Sequence, residues 1–402
     1  MRRKKEVRIG VIGAGGRGNL ARHAHKPEEN VRLVAGADTR DEALRKFAEA
    51  HGPDVFVTKD YREILRRADI HAVFITTPDF LHEEMALAAI SAGKHVYLEK
   101  PMAITREGCD RILKAARKNR VKLYLGHNMR HMTFVQKMKE LIANGAIGEV
   151  RAGWCRHFIS YGGDAYFKDW HAERSKSTGL LLQKAAHDID VLHWLCGGFS
   201  RRVNAMGNLS VYNLVKDRHQ ASERGNAGWS PVNWPPLEQK GMNPVINVED
   251  LSMMQMELDN GVLCCYQQCH YAPDAWRNYT IIGTEGRIEN FGDEPGRCVV
   301  RLWNRRTDYN PYGDEQYFIP PVRGGHGGAD PRIVDEFVRY IRDNVKVTTS
   351  PVAARYSVAA GCAATHSLRH GGIPVDVPRV PGDLAKYFDR DMESGRSVAA
   401  KR

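Results

Sequence analysis

No apolar run in this sequence reaches the roughly 18–20 residues that a membrane-spanning helix requires, which argues against a membrane partner. A secretory leader is not evident either. The basic start Met1-Arg2-Arg3-Lys4-Lys5 runs straight into a short strand-like stretch, without a long apolar core or a cleavage site, so a cytoplasmic location is expected. Cysteine is sparse, with eight in 402 residues. Only Cys264, Cys265 and Cys269 cluster, in a strand-like stretch without metal-ligand spacing, and Cys269-His270 is not followed by a second ligand pair. Packed, reduced thiols and no metal are the expectation. Internal repeats and low-complexity tracts are also missing. Acidic residues are the minority, 48 Asp and Glu against 59 Lys and Arg, for a net charge of +11. The excess cations are dispersed and accompany no nucleic-acid-binding module, so nucleic acid is not expected as a partner. Solubility and attraction for a cofactor pyrophosphate explain the charge more simply, with an anionic sugar as a further possible substrate.

The 402 residues, 42% hydrophobic and 27% charged, suit a soluble globular protein of two domains. Over residues 1–127 short apolar strands (7–12, 31–37, 55–57, 72–76, 95–98, 123–125) alternate with helical segments (19–24, 41–51, 61–68, 81–92, 105–119). Such alternation predicts a doubly wound parallel sheet, an α/β fold. After a helix at 132–143 the pattern changes. Longer strand-like stretches at 150–159, 203–212, 251–258, 262–270, 279–282 and 299–303 surround one helix at 179–196, and Asp259-Asn260-Gly261 and Gly283 to Gly286 read as hairpin turns. Residues 128–402 are therefore expected to form a second α/β domain on a large, mainly antiparallel open sheet. Residues 213–247, rich in Pro and Gly, read as a loop insertion. Residues 330–344 and 353–368 read as late helices, and the last twenty residues as a loosely held tail.

The first chemistry-bearing motif is Gly13-Ala14-Gly15-Gly16-Arg17-Gly18, a G-x-G-x-x-G loop after a strand and ahead of a helix. Gly13 permits the turn, Gly15 the approach of a pyrophosphate and Gly18 close packing of helix on strand, while the helix N-terminus offers N–H groups to the anion. Asp38 ends the second strand, where a carboxylate takes ribose hydroxyls. It repels a 2′-phosphate and so favours NAD over NADP, although Arg40 supplies a partial counter-charge. Thr76, Thr77, Pro78 and His82 follow the fourth strand and suit the dinucleotide channel; a solvent-facing helix start is the alternative for His82. The second motif is Glu99-Lys100-Pro101. It ends the apolar strand Val96-Tyr97-Leu98 and places an ammonium group at the carboxyl edge of the sheet, where open α/β sheets bind ligands. A cation there can hold a substrate hydroxyl during hydride transfer.

With these motifs in place the chain resembles the Gfo/Idh/MocA family of sugar and cyclitol oxidoreductases. The likeness runs through Gly13 to Gly18, Asp38, Thr77-Pro78 with His82, Glu99-Lys100-Pro101, Gly126 to Arg130, Ala146 to Glu149, the helix at 179–196 and Gly283 to Gly286. It implies a Rossmann domain and a C-terminal α/β domain. One side of the C-terminal open sheet would form an interface in a homodimer or homotetramer, and the other would face the nicotinamide. It also implies that Gly16, Arg17, Thr39, Glu99, Lys100 and Asn128 join the cofactor-binding set. The family's catalytic helix carries an Asp and, four residues on, a His; His187 matches the latter, but Gln183 stands at the aspartate position. Gln can orient a hydroxyl but cannot take its proton.

On a continuous helix Gln183, Lys184, His187 and Asp190 share one face. A surface Lys184–Asp188 pair is the alternative, but Leu180, Leu181, Leu182, Ala185 and Ala186 point to a buried helix, where an ammonium is costly unless it is paired or functional. The resulting expectation is hydride transfer between a sugar-like alcohol and NAD. His187 would be the general base, Lys100 would stabilise the alkoxide, Gln183 and Lys184 would position hydroxyls, and Asp190 would orient His187. Tyr166 and Trp170 would stack on the sugar, with Arg156 and His157 as polar contacts. Ordinary strand and loop packing is the alternative for each of these. Two other readings stand beside it. One is a glycosidase that oxidises, eliminates, hydrates and re-reduces the sugar ring with the same NAD, for which Lys184, Tyr166 or His157 would supply the extra acid or base. The other is a sugar-sensing regulator, against which the presence of both Lys100 and His187 argues.

Overall fold

The computed structural model describes residues 5–220 and 228–392, which fall into two compact units. The first comprises 5–131, 323–355 and 380–392; the second comprises 132–220, 228–322 and 356–379. Among the described residues no helix is long and apolar enough to cross a membrane. All eight cysteines are free thiols.

In the first unit, β1 (Val7–Ile12), β2 (Val31–Ala37), β3 (Phe56–Thr58), β4 (Ala72–Ile75), β5 (His95–Leu98) and β6 (Leu123–Leu125) form one sheet in the order β3-β2-β1-β4-β5-β6. Every pairing is parallel. The near-continuous burial of β1, β4 and β5 is what a sheet covered on both faces demands. The strand order reverses between β1 and β4, which creates the crevice at the carboxyl edge where such sheets take ligands. Gly13, Asp38, Thr76, Glu99 and Gly126 each follow a strand at that edge.

One face of this sheet is closed by a helix from far along the chain, Ala329–Asp343. Its Phe337 ring lies 5.2 Å from Phe74 and 5.6 Å from Tyr97, and Tyr97 in turn stacks on Phe74 at 4.5 Å. The Tyr124 hydroxyl donates to Glu336 at 2.5 Å. A contiguous division of the chain at 127/128 therefore misses part of the first unit, because apolar side chains of β4 to β6 need this helix to leave water. The expected loose tail is also different. Gly382–Asp389 is a helix with Leu384 and Phe388 buried, and Tyr340 donates to Asp391 at 2.7 Å. Residues 393–402 of that predicted tail lie outside the described residues.

The second unit is built on nine strands: β7 (Val150–Phe158), β8 (Ser200–Asn208), β9 (Leu251–Leu258), β10 (Leu263–Cys269), β11 (Trp276–Gly283), β12 (Arg287–Phe291), β13 (Cys298–Trp303), β14 (Glu315–Ile319) and β15 (Val375–Asp376). Their order is β14-β13-β12-β11-β7-β10-β9-β8-β15, antiparallel except for the central β7–β10 pair. The strand expected over 203–212 stops at Asn208, because Asp250 turns the chain by accepting the N–H groups of Ser210, Val211 and Tyr212 at 2.8–3.0 Å. The predicted loop insertion contains the short turns Pro231–Asn233 and Pro236–Glu238, anchored by buried Met242; its residues 221–227 lie outside the described residues.

Phe337→Ala removes the ring that covers Phe74 and Tyr97 and is expected to cost about 3–5 kcal/mol. Denaturant unfolding with hydrogen exchange should show protection falling in β4 to β6 while β7 to β11 keep theirs.

Candidate active site

The dinucleotide loop is held from both sides. A Cβ on Gly18 would lie 2.2 Å from the Gly13 carbonyl oxygen, so only glycine lets the short helix Gly16–Ala24 pack this tightly on the turn. That helix is of 3-10 type and begins at Gly16. Thr76 Oγ1 donates to the Gly13 carbonyl at 2.8 Å and so ties the loop to the end of β4. Asp38 Oδ2 accepts the Gly15 N–H at 3.0 Å, and Oδ1 accepts the backbone N–H and Nε of Arg40 at 3.0 and 3.2 Å. The Arg40 guanidinium rests against Gly15, where a Cβ would come within 1.9 Å of Nη2. Thr39 and Arg40 are exposed beyond Asp38. Glycine backbone with a carboxylate after β2 is a donor and acceptor set that fits the pyrophosphate and ribose of NAD.

Arg17 connects this loop to the Glu-Lys-Pro strand end. Its Nε donates to Glu99 Oε1 at 2.7 Å and its Nη1 to Asp330 Oδ2 at 3.0 Å. The other oxygen of Glu99 accepts the Lys100 N–H at 3.0 Å, and Asn128 Nδ2 donates to Asp330 Oδ1 at 3.1 Å. Burial would weaken the Arg17 cation, but Glu99 and Asp330 outweigh it and hold the guanidinium firmly protonated. Burial likewise opposes the Asp330 charge, yet His326 and Arg17 keep its carboxyl below the ordinary range. Arg17, Glu99 and Asn128, three members of the expected cofactor set, thus also position the strand end that presents Lys100. Asp330 had no sequence signal, being 313 residues from Arg17.

His82 is fully buried. Its ring nitrogens lie 2.7 Å from the Pro101 carbonyl and 2.9 Å from that of Thr77. It therefore joins the loops after β4 and β5, which is a positioning role that a solvent-facing helix start would not have.

In the second unit the helix expected over 179–196 is two pieces, Leu180–Gln183 and Ala185–Cys196, meeting at Lys184. Lys184 keeps right-handed backbone angles, so the path stays helical. Lys184 is 7% exposed, and Gln183 and Asp190 are also buried, whereas His187 is half-buried. The Lys184 ammonium donates to the Tyr161 hydroxyl at 3.1 Å and lies 5.2 and 5.3 Å from the ring centres of Tyr161 and Tyr166.

Asp188 forms no surface pair with Lys184. It is fully buried and accepts from Arg277 Nε at 2.9 Å, from Tyr266 at 3.1 Å and from Tyr279. His157 Nδ1 lies 3.2 Å from the same carboxylate and 3.0 Å from Tyr266. Burial, then Arg277, pushes the His157 imidazole down to about 3, so it is neutral. Burial alone would raise Asp188, but Arg277 and His157 reverse this and keep it ionised. His157 is thus part of the frame beneath the 185–196 helix.

Arg156 does not join that group. Side chains alternate along β7, so Arg156 projects to the open face of the sheet, donating to Asn278 at 2.9 Å. There it lines a cavity of about 570 Å³ with Trp154, Gln267, Thr280, Arg287 and Glu289. Tyr166 is buried against His270, its ring 5.3 Å from that imidazole, and Trp170 stacks on His171 at 3.7 Å. Nothing in the sequence signalled Arg277 and Asp188 as structural anchors or singled out Tyr161. Their pairing depends on strand register, which residue type alone does not reveal.

Residues 7–127 match the family described as "Oxidoreductase family, NAD-binding Rossmann fold", and residues 139–377 match "Oxidoreductase family, C-terminal alpha/beta domain". Levoglucosan dehydrogenase of Pseudarthrobacter phenanthrenivorans is 27% identical over 391 residues, covering 88% of this chain and 94% of that protein. Inositol 2-dehydrogenase of Serratia proteamaculans is 33% identical over 192 residues, 47% of this chain and 54% of that one. A structure of levoglucosan dehydrogenase in complex with NADH superposes with a TM-score of 0.74 at 25% identity, covering 94% of this chain and 100% of that one. The glycine loop, the Asp38 carboxylate and the Glu99-Lys100-Pro101 strand end are thus parts of an NAD-binding Rossmann domain, and the chain belongs to the Gfo/Idh/MocA oxidoreductase family.

Proposed function

We propose that this protein is an NAD-dependent dehydrogenase that moves hydride to or from a ring hydroxyl of a sugar, glycoside or cyclitol. The observation that carries this reading is the fastening of Lys100. Arg17 of the dinucleotide loop grips Glu99, which in turn takes the Lys100 N–H. A cation so placed at the carboxyl edge of the sheet suits stabilisation of an alkoxide. The substrates named for the relatives, levoglucosan and inositol, are polyhydroxylated rings and support the same class. NAD supplies the hydride chemistry when bound. Lys100 stabilises the substrate oxygen, His187 holds the reacting hydroxyl and accepts its proton, and Gln183 and Lys184 position neighbouring hydroxyls. Asp190 orients His187, and Tyr166 and Trp170 provide the aromatic surface.

A second reading has one observation in its favour. The chain carries a Tyr161–Lys184 pair in addition to His187. Transient oxidation of a glycoside ring, loss of the neighbouring carbon-bound proton with departure of the aglycone, addition of water and re-reduction would cleave the glycosidic bond with no net change in NAD. That cycle needs an acid–base group beyond the hydride-transfer pair. We also propose a homo-oligomer assembled through the open sheet face, which leaves Met206, Met253 and Leu263 48–74% exposed.

Purified enzyme with stoichiometric NAD and a panel of free sugars, cyclitols and aryl glycosides decides between the two. NADH accumulation supports the dehydrogenase, whereas aglycone release over many turnovers without net NADH would replace it with the glycosidase. Lys100→Met is expected to lower turnover at least about 100-fold while leaving NAD binding intact; retained turnover refutes its role. Asp330→Asn loosens Arg17 and is expected to cost roughly 2 kcal/mol of stability and to weaken NAD binding. Because the folded-state pKa of Asp330 is depressed, its stabilising contribution is full above about pH 4 and declines as the pH falls. The stability gap between wild type and Asp330→Asn should therefore narrow in acid, as read by denaturant unfolding.

A further inference from the structure

We propose that Tyr161 and Lys184 form an acid–base pair in which the Tyr161 hydroxyl exchanges the proton of the reacting substrate hydroxyl and the Lys184 ammonium holds the phenolate charge. This rests on the dehydrogenase reading and moves one role within it: Tyr161 takes the proton, and His187 keeps the hydroxyl in place.

Three observations support the pair. The ammonium of Lys184 is buried, and the groups that receive it are phenols, through one hydrogen bond at 3.1 Å and two ring faces at 5.2 and 5.3 Å. A buried cation without a carboxylate partner is costly, and charge developing on a neighbouring phenol relieves that cost. The second observation is access. Tyr161 is half-buried and Tyr166 is buried, so of the two phenols Tyr161 has the more open side. The third is placement. Tyr161 lies in the turn just past β7, and a Cβ on the next residue, Gly162, would come within 1.9 Å of the His270 carbonyl. That close approach seats the turn against the end of β10 and fixes where the phenol sits.

The surrounding charges point the same way. Burial alone would raise the Tyr161 phenol, but Lys184 and then Arg277 outweigh it and hold it below its ordinary value; Asp293 opposes them. Tyr166 moves the other way, raised by burial. Fully buried His270 is held well below its usual range by burial, then by His157 and Lys184, and so adds no charge.

The chemistry favours a phenolate over an imidazole for this step. An ordinary phenol titrates near 10 and an imidazole near 6.5, so the phenolate lies closer to an alcohol and accepts its proton with a smaller penalty, provided that enough of it is ionised. Lys184 acts toward that condition, because its ammonium lowers the Tyr161 phenol. During oxidation the O–H bond breaks and its proton passes to the Tyr161 oxygen. The electron pair left on the substrate oxygen closes the C=O bond, while the hydrogen on carbon leaves with its two electrons to NAD, giving NADH. In reduction the Tyr161 phenol returns the proton to the oxygen.

The test combines near-ultraviolet difference titration of tyrosine with steady-state kinetics on wild type, Tyr161→Phe, Lys184→Met and His187→Gln. Wild type is expected to show one tyrosine ionising ahead of the rest. That signal should vanish in Tyr161→Phe and move to higher pH in Lys184→Met. Oxidative kcat should rise with pH through the same ionisation, because the phenolate is the active form. Tyr161→Phe should lower kcat about 10²–10⁴-fold and abolish the rise while sparing NAD binding. The proposal is overturned if Tyr161→Phe keeps the early titration, or if it keeps kcat within about threefold with an unchanged pH profile, in which case His187 is the base. If no sugar yields NADH, the dehydrogenase reading falls, and the titration still decides whether the pair exists.

Discussion

In the first unit the guanidinium of Arg17 meets Glu99 at 2.7 Å and Asp330 at 3.0 Å, and three distant segments depend on that contact. The glycine loop supplies Arg17, the end of β5 supplies Glu99 and with it Lys100, and the 329–343 helix supplies Asp330. Removing the cation would strip two largely buried carboxylates, 7% and 10% exposed, of their shared counter-charge, leaving Asp330 to His326 and Asn128. The loop that receives a pyrophosphate and the strand end that presents an ammonium are therefore held by a single ion network. The aromatic packing of Phe337 on Phe74 and Tyr97 brings the Asp330 helix to that place.

The second unit solves a different electrostatic problem. Asp188 is fully buried beside the partly buried Arg277, and its carboxylate is satisfied by two phenols, the guanidinium and the edge of a neutral imidazole. Through Asp188 this frame anchors the helix that also carries half-buried His187. Lys184, one turn earlier, has no carboxylate partner among the described residues and is received by aromatic groups. Arg277 and Lys184 thus have opposite characters. Arg277 is neutralised in place, whereas Lys184 retains a field that acts on its neighbours.

Much of the fold was legible because its signals are local. β1, β2, β5, β6 and β9 match the apolar runs closely, and the hairpin turn at Asp259 to Gly261 joins the two strands expected of it, while the turn at Gly283 to Gly286 leads from β11 into β12. Strands β12 and β14 went unread since their polar residues carry no periodic apolar signal. The break at Lys184 between the helical pieces Leu180–Gln183 and Ala185–Cys196 was equally invisible. A Cβ on Gly361 would come within 2.5 Å of the Leu181 carbonyl, so another helix approaches the backbone just before the break.

The sequence by itself determined the doubly wound parallel sheet, the glycine loop with Asp38, the Glu99-Lys100-Pro101 strand end and the family, because each is written in residues close together along the chain. Only the tertiary structure decided that Asp330 holds Arg17, that His82 joins two loops, that Arg156 and His157 occupy opposite faces of β7, and that Lys184 meets Tyr161 instead of Asp188. The physical reason is the same in each case. A buried charge or polar group takes its partner from whatever the packing of distant apolar surfaces brings within reach, and strand register and helix placement set that reach across tens to hundreds of residues.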